Sequence, residues 1–101
     1  MSLKRLIKSF AVQPKKDVDL SKIDPRDTSY FKSRDEAESA VLEDAKAIDE
    51  LQDRLFAEGK QSLLLVLQGP DAAGKDGTIR KVFGPVDPLG LRAHSFKAPT
   101  P

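Results

Sequence analysis

The stretch "LLLVLQGPDAAGKDGT", residues 63–78, runs a wholly apolar segment straight into a glycine-rich loop. Within it, Gly69 to Lys75 follows the G-x-x-x-x-G-K spacing of a Walker A loop. Glycines at that spacing let the backbone wrap so that successive N–H groups point inward, and the lysine adds a charge beside the terminal phosphates. A helix opening directly behind the loop contributes the positive end of its dipole. The candidate phosphate cradle is thus built from Gly69, Ala72, Ala73, Gly74, Lys75, Asp76, Gly77 and Thr78.

Two carboxylates make the loop unusual. Asp76 stands where most such loops carry a serine or threonine that holds magnesium. An aspartate there sets an anion beside the phosphates, while Thr78, two residues on, offers a hydroxyl instead. Asp71 lies inside the loop and would repel a phosphate unless a metal lay between them. That placement suggests a magnesium-bridged phosphate with Asp71 as a ligand. The alternative is an Asx contact from Asp71 to the loop backbone.

Working outward, "QSLLLVLQ" at 61–68 has five apolar residues without alternation. This is the pattern of a strand buried on both faces, as in parallel sheets covered by helices. "KDGTIRKVF" at 75–83 reads as a short helix closed by Gly84 and Pro85, "DPLG" at 87–90 as a turn, and "LRAHSF" at 91–96 as a second strand. Together they predict one strand–helix–strand unit.

Upstream, "SRDE" at 33–36 is a capping box with Ser33 as N-cap. Ala37, Val41, Ala45, Ile48, Leu51 and Leu55 then recur at steps of three or four, which predicts an amphipathic helix to about Glu58, with Gly59 as a left-handed stop. Pro14 and Pro25 interrupt residues 13–32, which show neither helical nor strand periodicity. The first sixteen residues carry five basic side chains and no acid, a pattern shared by targeting peptides and surface-binding helices, and read here as a short basic arm that packs on its own protein or on a partner.

The chain has 101 residues and a formal charge of +1, so no bulk field favours nucleic acid or a membrane. The longest apolar run is far too short to span a bilayer. Without cysteine there is neither a disulfide framework nor a thiolate metal site.

"GPDAAGKDGTIRKVFGPVDPLG" at 69–90, followed by "SFKAPTP" at 95–101, resembles the family-2 polyphosphate kinases. These are P-loop phosphotransferases that move phosphate between inorganic polyphosphate and nucleotides. The resemblance runs from about Asp24 to Pro101 and rests on two motifs, the loop form G-x-D-x-A-G-K-x-G-T and the "FKxPT" element. It implies an α/β, P-loop kinase-like three-layer fold with a parallel sheet. Residues 1–32 would be the arm and irregular segment, and residues 33–101 the N-terminal part of the phosphotransferase domain.

By the same resemblance, Lys75 contacts the transferring phosphate, and Asp71 helps organise magnesium and the phosphate chain. Lys97 faces the phosphate path. His94, the sole histidine, takes a packing or surface role. The expected substrates are polyphosphate and AMP, ADP, ATP or their guanine equivalents, handled by a cytoplasmic homodimer or homotetramer. A second metal-binding acid at the end of another apolar strand, a lid and a base pocket are all missing, so the chain is expected to be the inactive N-terminal portion of a larger enzyme. An ATP-dependent nucleoside or nucleotide kinase and a non-catalytic phosphate-binding or assembly module are the competing readings.

Overall fold

In the computed structural model, residues 2–97 are described. They form three α-helices, α1 (Leu3–Phe10), α2 (Arg34–Glu58) and α3 (Lys75–Phe83), with short 3₁₀ turns at Leu20–Lys22 and Pro88–Gly90. The chain divides into two units, one ending at Glu38 and the other beginning at Ser39.

In the first unit, Ser2 caps α1 by accepting the Arg5 N–H on its hydroxyl, and the Ala11 N–H closes the far end on Ile7 O at 2.8 Å. Leu3, Leu6, Ile7 and Phe10 share one side of this helix, and Lys4, Arg5 and Lys8 the other, as a 3.6-residue period requires. The Phe10 ring lies 5.0 Å from that of Tyr30, tilted at 48°. That pair attaches the helix to the segment before α2, across a hollow of about 390 Å³ bordered by Ile23 and Pro25. Between them the chain is held by local polar turns: Asp19 accepts from Ser21 Oγ at 2.6 Å, and Asp27 from the Ser29 N–H at 2.9 Å.

The predicted capping box is present with a shift of one residue. Ser33 Oγ accepts the Glu36 N–H at 3.2 Å, while the Glu36 carboxylate reaches past Ser33 to the Lys32 N–H at 2.7 Å. At the other end Gly59 sits at φ 64°, a conformation that carries no penalty for glycine, and donates to Leu55 O.

In the second unit the inner face of α2 carries Ala45, Ile48, Gln52 and Leu55. Leu51 points away and is 62% exposed, because a step of four from Ile48 to Gln52 keeps the seam where a step of three leaves it. The turn after α3 meets this face. Asp49 Oδ1 accepts the Asp87 N–H at 3.0 Å, and Gln52 lies so close to Gly90 that any β-carbon there would collide with its amide. Among the described residues only Ala45 and Val86 are buried apolar side chains. Two small side chains contribute at most a few kcal/mol, against an ordering cost of about 1–2 kcal/mol per residue.

The expected helices at 33–58 and 75–83 and the turn at 87–90 are all formed. The two expected strands differ. Residues 61–70 and 91–97 carry no ladder among the described residues. A strand is held by hydrogen bonds to a neighbour, and these two segments do not pair with each other. Leu63 to Leu67 are consequently open to solvent, from 45% at Leu67 to 86% at Leu64.

Candidate phosphate-binding site

The loop between the apolar run and α3 turns tightly. The Ala73 N–H donates to Pro70 O at 3.2 Å, Ala72 adopts φ 60°, and Gly74 adopts φ 91° as the N-cap of α3. Two left-handed residues in three fold the backbone back on itself. Gly74 takes this without cost, whereas Ala72 holds it at the expense of about 1–2 kcal/mol. A β-carbon on Gly69 would press on that of Ala73 at 3.2 Å, so the two sides of the loop approach within contact distance.

Lys75, the first residue of α3, is half-buried and folds back across the loop. Its ammonium donates to Gly69 O, and also to Pro70 O at 3.3 Å. The positive charge is thereby held at the rim of the loop. The N–H groups of Lys75, Asp76 and Gly77 lie in the first turn of α3, where no intrahelical acceptor exists; the first helical bond is Thr78 N–H to Gly74 O at 3.0 Å. A loop edge with unsatisfied donors and an adjacent ammonium is a setting for an anion.

The acidic pair occupies two different environments. Asp71 Oδ1 accepts the N–H of its neighbour Ala72 at 3.2 Å, a contact to the loop backbone that leaves its second oxygen available. Asp76 lies in the first turn of α3, where its charge complements the helix dipole. Thr78 returns its hydroxyl proton to Gly74 O at 2.9 Å. Arg80 and Lys81 are exposed in the last turn, where they balance the helix's negative end.

Lys97 is exposed in the segment after the second turn, and no hydrogen bond or ion pair joins it to the loop among the described residues. The remainder of the "FKxPT" element, from Ala98, lies outside the described residues. His94 is exposed, its ring 6.5 Å from that of Phe96, so it belongs to the surface. Pro70 was not singled out by the sequence, yet its carbonyl takes part in holding Lys75; a backbone acceptor leaves no trace in residue type. Among the described residues no cluster of three or more histidine, cysteine or acidic side chains is placed to hold a metal.

A loop that holds a lysine across its own carbonyls and opens a helix with unpaired N–H groups is a candidate site for an anion. Comparison with known proteins narrows it. Residues 7–101 match the family model described as polyphosphate kinase 2 (PPK2), and the chain belongs to that family. It is 45% identical over 97 residues to the AMP/ADP-polyphosphate phosphotransferase of Meiothermus ruber, covering 93% of this chain and 36% of that protein. It is 33% identical over 93 residues to the ADP-polyphosphate phosphotransferase of Rhodopseudomonas palustris, covering 92% of this chain and 32% of that protein. The chain thus spans about a third of the length of these curated relatives. No solved structure gives a match. No helix among the described residues is long and apolar enough to cross a membrane.

Proposed function

We propose that this chain supplies the phosphate-binding part of a polyphosphate-dependent nucleotide phosphotransferase, which moves a phosphoryl group between inorganic polyphosphate and AMP or ADP. The observation that carries the reading is Lys75, whose ammonium sits on the Gly69 and Pro70 carbonyls beside the open N–H groups of α3. The names of the two relatives support the choice of donor and acceptor.

Phosphoryl transfer asks for positioning and neutralisation of charge more than for covalent chemistry. In this reading the open N–H groups of Lys75, Asp76 and Gly77 at the start of α3 fix the phosphate oxygens. Entry of the phosphate chain draws the Lys75 ammonium from neutral carbonyls to a charged oxygen, a stronger partner. Gly69 and Gly74 allow the backbone to approach the anion. No side chain needs to become a nucleophile.

Magnesium is the cofactor of this proposal. It commonly binds through one or two carboxylates together with substrate phosphates and water, and a single loop carboxylate suits that mode. Asp71 would hold it from this chain; when bound, it neutralises charge on the phosphate oxygens.

The fold that fits this role is a parallel sheet covered by helices, with residues 63–67 as an inner strand. Their exposure supports it, since five bare apolar residues need neighbours on both faces and both edges. Assembly as a homodimer or homotetramer in the cytoplasm belongs to the same proposal.

The test is phosphotransfer by the full-length encoded polypeptide, with magnesium, polyphosphate and AMP or ADP in one series and ATP with each nucleoside monophosphate in another. New nucleotide from polyphosphate is the expected result. Transfer from ATP alone would make the protein a nucleotide kinase, and binding without turnover would make it a phosphate-binding module.

A further inference from the structure

Positive charge is distributed very unevenly along this chain. Residues 1–16 hold five of its seventeen basic side chains and none of its sixteen acidic ones, so the rest, with twelve basic against sixteen acidic, carries a net −4. Within this chain the cationic charge is thus concentrated in the arm, which attracts a polyanion.

The arm also presents its charge in an ordered way. Lys4, Arg5 and Lys8 fall within one side of α1, opposite Leu3, Leu6, Ile7 and Phe10. The apolar side touches its own unit through the tilted Phe10–Tyr30 pair and the half-buried Leu6, while Leu3 and Ile7 stay exposed. Beyond the helix, a turn closed by the Lys16 N–H on Gln13 O holds Lys15 at φ 62° and exposes both lysines. None of the five cations is in an ion pair among the described residues. The family match begins at Ile7, so Lys4 and Arg5 stand outside the part shared with the family.

We propose that the basic side of α1, together with Lys15 and Lys16, is an outer landing site for long polyphosphate chains, and that it gives the protein a preference for long chains over short ones. The inference rests on polyphosphate being the substrate. A polyphosphate is a repeat of phosphate charges with no base or ring to read, so a row of cations, here four lysines and one arginine, suffices to hold it. A chain held at one point keeps its remainder at high effective concentration for a second site on the same molecule. Only a polymer long enough to engage both gains from this.

The experiment measures binding of long-chain polyphosphate and of tripolyphosphate to the full-length polypeptide, without nucleotide, by calorimetry. In Lys4→Gln/Arg5→Gln/Lys8→Gln, long-chain affinity is expected to fall about tenfold while tripolyphosphate affinity stays within about twofold. The difference should vanish near 1 M salt, where screening reaches about 3 Å. Lys15→Gln/Lys16→Gln should act in the same direction, and Lys75→Ala should weaken both ligands. Unchanged long-chain affinity, or equal losses for both ligands, overturns the inference. So does loss of binding to phosphatidylglycerol vesicles with polyphosphate affinity intact, which would assign the arm to a membrane surface. Arm-dependent polyphosphate binding in a protein that makes no nucleotide from polyphosphate would keep the landing site and overturn the proposed activity instead.

Discussion

The Lys75 ammonium donates to the carbonyl of Gly69, six residues earlier, so the lysine closes a ring over the loop it is meant to serve. The contact holds the charge in place, and under the proposed function it is exchanged when a phosphate enters. Lys75→Ala in the full-length polypeptide should therefore lower phosphotransfer by a hundredfold or more, on the order of the loss seen when a group that stabilises transition-state charge is removed. Lys75→Arg should recover little, because a planar fork does not fit where a point charge sits on two carbonyls. Steady-state rates with polyphosphate and ADP check both.

Gly74 occupies φ 91° with nothing within 4 Å of the place a β-carbon would take. The penalty for Gly74→Ala is therefore conformational rather than steric, about 1–2 kcal/mol. Denaturant unfolding of the full-length protein should show that loss. Phosphate binding should suffer more than stability does, since relief of the strain would turn the first N–H groups of α3 away from the loop.

Gly90 is required for a different reason, its contact with Gln52 on α2. Gly90→Ala should destabilise by about 1–3 kcal/mol through overpacking. Gln52→Ala should cost little, since Gln52 Oε1 is already buried without a partner. Gln52→Ala/Gly90→Ala should regain most of the loss, and a double-mutant cycle on unfolding free energies would read that coupling.

Asp19 and Asp27 are held below the ordinary carboxylate value of 3.8 by hydrogen bonds from Ser21 and Ser29 respectively. A depressed folded value means that the stabilisation is complete above the unfolded pKa and is lost as pH falls through the folded one. The Leu20–Lys22 turn should accordingly loosen only below pH 3.8. Carboxyl carbon titrations by NMR should place both midpoints under that value, and Ser21→Ala should move that of Asp19 back toward it.

Where physical chemistry acts locally, the sequence was readable. The Ser33 cap, the Gly59 stop, the helix behind Gly74 and the turn at Asp87 each depend on residues within four positions of one another. Partners supplied from elsewhere were not readable. The apolar pattern put Leu51 on the inner face, whereas Gln52 takes that place because Gly90 leaves room for its amide. At the site, the loop's position, its lysine and the start of α3 followed from spacing alone. The use of the Gly69 and Pro70 carbonyls and the left-handed Ala72 did not, since both are properties of the backbone.

The bare run from Leu63 to Leu67 also shapes how this polypeptide behaves in a test tube. Five consecutive apolar residues with no charge and no proline, left open to solvent, form a segment prone to cross-molecule stacking. Lys60 stands three residues before it and Pro70 three residues after, the two residue types that interrupt such stacking. Removing either guard should lower the concentration at which the protein precipitates, before any change in its chemistry is felt.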